Sequence, residues 1–372
     1  MIILKEATTK GDLKKFVKFP FSIYKDCKQW VPPIINDELD SFNKDKNPVF
    51  KDAEACFYLA YKGTTIVGRI AAIVNWIEIK QQRVKKMRFG WFDFVDDTEV
   101  SEALLNKVKE IGQEYKLEYM EGPVGFSNLD KVGVLIEGFS ETGTMITWYN
   151  HPYYQAHYER LGFVKEKEYM ENRFPFSNAD PKFFTKVDSL VQKRYGVKPL
   201  SFTKTEEVMP MADKMFDLFN ETYSQLSSFV PITEIQKAYF KKKYISFINP
   251  EYIKFILDKE DKLIAFGIVM PSFSEALQKA KGKLFPFGFY HLLKAKKHSK
   301  DVIFYLIGVL PEYQNKGVTA VMFNQYHKTF SEKGIVNCIR TPELEDNVAI
   351  KQIWKHFKPE IYKRRRTYKK DL

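Results

Sequence analysis

The sequence predicts a mixed α/β (α+β) protein made of two similar halves, each a mixed, mostly antiparallel sheet flanked by helices. Three observations carry this expectation. The same order of signals, hairpin, strand, helix, strand, helix, occurs twice along the chain. The 372 residues exceed the size at which a single hydrophobic core usually keeps growing. The two sets are offset by similar amounts: the hairpins begin 196 residues apart, at Cys56 and Tyr252, and the next strands 214 apart, at Arg88 and Val302.

In the first half, Cys56 to Asn75 reads as two strands around the Lys62-Gly63 turn. Arg88 to Asp97 is a third strand, and Glu99 to Tyr115 carries apolar residues at helical spacing. A strand over Glu118–Val124 and a helix over Tyr153–Phe163 complete the set. The second half offers a hairpin over Tyr252–Met270, a strand over Val302–Leu310, a helix over Val318–Gly334, a strand over Val336–Pro342 and a helix over Asn347–Phe357. Its larger offset places an insertion over 271–300, between the second and third strands. These features divide the chain into an N-terminal domain over 1–175, a linking segment over 176–198 and a C-terminal domain over 199–372.

Composition narrows the function. Apolar residues make up 44% of the chain, enough for real cores, and no apolar run approaches the roughly 20 residues that cross a bilayer. The start, MIILKEATTKGDLKKF, lacks a leader pattern, so a cytoplasmic protein is expected. Cys27, Cys56 and Cys338 are scattered, and the six histidines form no ligand pair, so no metal site is expected. A net charge of +12 calls for an anionic partner: a phosphate-bearing cofactor, an acidic membrane surface or nucleic acid.

The segment Ile303 to Phe323 chooses among these. A strand ends at Val309-Leu310, Pro311 halts its ladder, and Gln314, Asn315, Lys316 and Gly317 lead into a helix beginning Val318-Thr319. A helix start presents unpaired N–H groups and the positive dipole end, which together suit a pyrophosphate, with Lys316 adding charge. At the matching place in the first half stand Asp96, Asp97, Thr98 and Glu99, with no glycine. Carboxylates there repel phosphate, so the anion site is expected in the second half alone.

Val309, Pro311, Gln314 and Gly317 fall in the register V-x-P-x-x-[QR]-x-x-G-x-[GA], and the segment resembles motif A of the GNAT (Gcn5-related N-acetyltransferase) superfamily. Thr319 stands where a small residue is commoner. Asn347 to Phe357 resembles motif B of the same family, with Trp354 where a tyrosine usually protonates the departing thiolate. Asn150 to Phe163 resembles motif B too, and includes Tyr158. Over nearly its whole length the chain is similar to a bacterial subgroup of tandem GNAT proteins, some of them associated with sphingolipid formation.

The resemblance implies an N-acyltransferase using acetyl-CoA or a longer acyl-CoA, held by Val309, Leu310, Gln314, Asn315, Lys316, Gly317, Val318, Thr319 and Asn347. In such chemistry a neutral amine attacks the thioester directly, and a main-chain amide near Val309–Leu310 polarises its carbonyl. Glu343 and Glu345 are the candidate bases; Tyr362 and Tyr158, with Tyr153 and Tyr154 beside it, are the candidate acids. The implied acceptor is an amine-bearing small molecule or a lipid-like long-chain base. The aromatic and lysine-rich insertion is read as membrane-facing or as the lining of an acyl channel, and the basic stretch YKRRRTYKK as membrane-facing, with nucleic acid the less favoured partner. Two alternatives stand beside this reading: a pseudoenzyme or binding protein that uses the basic surface, and an aminoacyl transferase that draws on tRNA.

Overall fold

The computed structural model describes residues 1–226, 229–245 and 248–372. Its strands are β1 (Ile2–Glu6), β2 (Ala53–Lys62), β3 (Thr65–Asn75), β4 (Lys86–Phe94), β5 (Tyr119–Gly122), β6 (Val134–Glu137) and β7 (Val164–Pro175). They continue with β8 (Lys198–Ser201), β9 (Ile253–Leu257), β10 (Leu263–Pro271), β11 (Asp301–Val309), β12 (Asn337–Arg340), β13 (Glu343–Leu344) and β14 (Glu360–Asp371). Two compact units result, one of residues 1–170, 273–292 and 362–372, the other of residues 171–272 and 293–361. The α+β class and the duplicated order expected from sequence are both present.

In the first unit β1, β2, β3 and β4 pair antiparallel, and β5 then pairs parallel to β4, with Lys86 opposite Tyr119. A parallel neighbour needs a crossover, which the helix Thr98–Glu114 supplies. Its apolar face of Leu104, Leu105 and Val108 packs on Met87 and Phe89 at one side of the sheet. Trp91, two residues beyond Phe89, joins Phe16, Phe42 and Phe57 in the cluster on the other side. β4 is buried along its whole length, so its run KMRFGWFDF shows little polar alternation.

The second unit repeats the pattern. β8, β9, β10 and β11 pair antiparallel and β12 pairs parallel to β11, reached through the helix Val318–Lys333. The stretch read as a linking segment carries the helix Pro181–Tyr195, which packs on that crossover helix. Asp180 caps its start by accepting from the Lys182 amide, Pro181 occupies the first turn, and Gly196 ends it at φ 66°.

Beyond this shared core each sheet is finished by a strand from the opposite part of the sequence. In the first unit β14 lies antiparallel to β5, with Tyr368 opposite Gly122, and β6 lies on β14. In the second unit residues 173–175 of β7 lie antiparallel to β12. The basic stretch read as membrane-facing is therefore part of a sheet: Arg365 is buried and donates to the Trp148 carbonyl, while Arg364 and Arg366 bind Glu168. A strand dense in lysine and arginine, partnered by the acid Glu168, has the composition of a solvated tail.

Residues 273–292 of the insertion belong to the first unit. Ser274 Oγ donates to the Gly143 carbonyl, and Gln278 Nε2 donates to those of Lys28 and Trp30. Phe273, Ala276, Leu277 and Ala280 are buried beneath it. The later aromatics Phe285, Phe287, Phe289 and Tyr290 are exposed.

Candidate functional site

The second unit opens its sheet at one point. β11 and β12 pair from Asp301 opposite Asn337 as far as Phe304 opposite Arg340. At Tyr305 the register of β11 against β10 skips a residue, a bulge that bends the strand. Beyond it the outer edge of β11 faces a splay. Ala265 lies opposite Val309 and the Leu310 amide donates to the Ile264 carbonyl at 2.9 Å, so Leu310 is committed to β10. Peptide groups alternate in direction, and the N–H and C=O of Ile307 and Val309 therefore point into the splay.

The carbonyls along that edge are held by side chains. Thr341 Oγ1 donates to Tyr305 at 3.4 Å, the Tyr223 hydroxyl to Ile307 at 3.1 Å and Gln314 Nε2 to Val309 at 3.2 Å. Gln314, a motif residue, thus orients the strand end. Tyr223 ends the helix Ala212–Tyr223; burial pushes its phenol up to about 12, so it stays protonated at neutral pH. It was not among the sequence candidates. No local motif surrounds it, and only the fold brings that helix end to the edge of β11.

Next to the splay the chain turns into the helix Val318–Lys333. Asn315 at φ 62° and Gly317 at φ 78° are left-handed, and the helix start has no side-chain cap. Successive backbone amides in such a turn form an anion-binding concavity. Lys316 Nζ stands 4.9 Å from the Tyr313 ring centroid and 5.7 Å from that of Tyr195. A Cβ on Gly317 would meet Val191 at 2.8 Å, so this glycine also admits the helix Pro181–Tyr195.

The same turn in the first unit is closed. Asp97 caps the helix Thr98–Glu114 by accepting from the Glu99 amide at 3.0 Å and pairs with Lys62 at 2.9 Å. The Phe94 amide is also occupied, donating to the Tyr154 hydroxyl at 3.2 Å, and Tyr153 donates to the Phe94 carbonyl. Asp96, His157 and Ser101 line up there by hydrogen bonds of 2.9 and 2.8 Å. The order matches a hydrolase triad, but Ser101 is wholly buried within its helix, so the chain of bonds pins that helix and activates no nucleophile.

The remaining candidates fall as follows. Asn347 caps the helix Val348–Trp354, accepting from the Ile350 amide at 3.1 Å. Trp354 is buried against Phe304 and Phe323, facing the core rather than the splay. Glu343 binds the Arg340 guanidinium through both oxygens, which ties the carboxylate to that partner, and Arg340 stacks over Trp354 at 4.6 Å. Glu345 is exposed on the loop that follows. Tyr158 and Tyr362 belong to the first unit, where Tyr158 stacks on Tyr368 at 4.4 Å within the core. Cys338 is buried and burial pushes its thiol well up, which suits an inert core residue.

No family model matches the chain. It is similar to Protein YghO of Escherichia coli (strain K12), at 26% identity over 384 aligned residues that take in 100% of this chain and 95% of that protein. It is similar as well to bacterial ceramide synthase of Caulobacter vibrioides (strain NA1000 / CB15N), at 24% identity over 315 residues, 82% of this chain and 80% of that one. Among solved structures it aligns over 100% of its length, and 98% of the other chain, with a tandem GNAT protein from the clavulanic acid biosynthesis pathway, at TM-score 0.60 and 10% identity. Strand order, bulged splay and paired units agree with these likenesses: the chain has the tandem GNAT fold and is homologous over most of its length to Protein YghO and to bacterial ceramide synthase.

Proposed function

We propose that the second unit transfers an acyl group from an acyl-CoA to an amine, and that the amine belongs to a long-chain, lipid-like base. The observation that carries the first part is the contrast between two equivalent helix starts, one closed by Asp97 and one left open at Gly317 beside the splay. The amides of Val318 and Thr319, with Lys316, suit the pyrophosphate of the co-substrate; the open edge of β11 suits its pantetheine amides. The Val309 N–H, facing the splay, would bind the developing oxyanion. The acceptor class rests on the likeness to bacterial ceramide synthase.

On this reading the amine attacks the thioester carbon, the C–S bond breaks, the amine proton passes to a base or water, and the thiolate takes a proton. Tyr223 supports that last step, being protonated and hydrogen-bonded on the same strand edge. Glu343 is engaged by Arg340, so the proton passes to solvent or to Glu345 on the loop that follows.

Thiol release measured with acetyl-, octanoyl- and palmitoyl-CoA, each offered to a long-chain amino alcohol and to short polar amines, tests the proposal. Turnover with the long-chain base supports it. Activity confined to acetyl-CoA and small amines removes the lipid acceptor, and failure to bind any acyl-CoA removes the reaction.

A further inference from the structure

The insertion that follows β10 presents a surface of unusual composition. Phe285 is 76% exposed, Phe287 71%, Tyr290 57% and Leu293 54%, with Phe289 exposed beside them. Single exposed apolar residues are ordinary, but five within nine positions make a patch. The Phe285 and Phe289 rings pack on each other at 5.7 Å, so the tip has its own internal order. From residue 276 to residue 300 the chain carries seven lysines and no acid.

The base of this feature is fixed. Gly282 accepts from the Ile35 amide at 3.0 Å, and a Cβ there would meet Phe21 at 2.5 Å. The Phe289 amide donates to the Leu284 carbonyl at 2.7 Å, closing the loop at the start of the helix Gly288–His298. Exposed aromatics on a floppy loop would collapse onto the nearest surface; here they project from an anchored turn.

Charge and apolarity are also sorted by position. On the helix Gly288–His298, Phe289, Tyr290 and Leu293 occupy the exposed face of the first turns, and Lys294 and Lys297 continue that face in the last ones. At 1.5 Å per residue, Phe289 and Lys297 lie about 12 Å apart along the axis. Lys279, Lys281 and Lys283 add exposed charge on the incoming side. An apolar tip with cations set back from it matches a target that is layered, anionic outside and hydrocarbon beneath. A protein surface has no such layering, and single-stranded nucleic acid offers ring stacking and phosphate at one depth.

We infer that the Phe285–Leu293 tip inserts into the interfacial region of an anionic lipid bilayer, with the flanking lysines at the level of the phosphates. This docking stands apart from the acyl-transfer reading, because it is read from vesicle binding without turnover. It is a peripheral attachment: among the described residues no helix is long and apolar enough to cross a membrane.

Flotation of the full chain with phosphatidylglycerol-rich vesicles and with pure phosphatidylcholine vesicles tests it. Binding to the anionic vesicles is expected, weakened by salt, and reduced about tenfold or more in the double variant Phe285→Ser/Phe287→Ser and in Lys294→Glu/Lys297→Glu. Phe287→Trp supplies a second readout, an emission shift to the blue on adding anionic vesicles. All these positions are exposed, so unaltered melting temperatures keep the comparison valid. Equal flotation of wild type and both variants, or no emission shift, would overturn the inference. So would loss of a dimer in Phe285→Ser/Phe287→Ser with vesicle binding unchanged, since the patch would then be a contact between copies.

Discussion

The Tyr223 hydroxyl donates to the Ile307 carbonyl at 3.1 Å, on the edge of β11 that faces the splay. A phenol whose pKa is pushed up to about 12 by burial remains a proton donor throughout the physiological range. Tyr223→Phe is therefore expected to lower kcat about a hundredfold, the usual scale for loss of a general acid. Acyl-CoA affinity, measured by calorimetry, should be unaltered. A weakened Kd with kcat intact would make Tyr223 a binding residue instead.

Lys316 and Asp97 occupy equivalent turns and should respond oppositely. Lys316→Ala removes an exposed charge near the open helix start and should weaken acyl-CoA binding by about 1 kcal/mol, roughly fivefold. Asp97→Ala should leave that affinity alone and cost about 1 kcal/mol of stability through the lost cap, read by chemical denaturation.

Gly317 has two duties, and they can be separated. Its φ of 78° and the approach of Val191 predict that Gly317→Ala destabilises the unit by about 1–2 kcal/mol even without ligand. The loss should appear in the melting temperature of the free protein. If stability held while acyl-CoA binding fell, the glycine would serve the ligand alone.

Glu343→Ala separates scaffold from base. Arg340 is 3% exposed and its fork is filled by Glu343, so removing the acid strands a buried cation, at a cost of about 3 kcal/mol. A stable variant that had lost turnover would instead restore Glu343 as the catalytic base.

The first unit should be acid-sensitive. Burial alone would raise the Glu121 carboxyl, but Lys86 and Lys167 outweigh it and hold the pKa at about 2, below its ordinary 4.5. A carboxylate with a depressed folded pKa contributes stability above its unfolded pKa and loses it as pH falls toward the folded one. Unfolding titrations should show Glu121→Gln less stable than wild type near pH 7, with the gap closing between about pH 4.5 and pH 2.

Much of this was legible in the residues because it is local. The hairpin around Gly63, the strand running through Val309 into Pro311, and the helix that Asn347 caps all depend on neighbours within a few positions. The closed turn at Asp97 was readable for the same reason. Three features were not. Tyr223 acquires its place from the packing of a helix end on β11, which no spacing encodes. Residues 362–371 are basic enough to pass for a tail until Glu168 is seen beside Arg364 and Arg366. The aromatics of the insertion looked like channel lining because apolar side chains are usually buried, and here they are not.

The exchange of closing strands also bears on the order in which the protein is made. Tyr368 pairs with Gly122, so the free edge of β5 waits for a strand synthesised some 246 residues later. Most N-terminal domains fold as they emerge from the ribosome; this one is left with an unsatisfied row of amides and carbonyls until the second half has been translated. During that interval β5 is open to mispairing. The lysines and arginines of β14, matched to acids already in place, favour the late strand over a stray one.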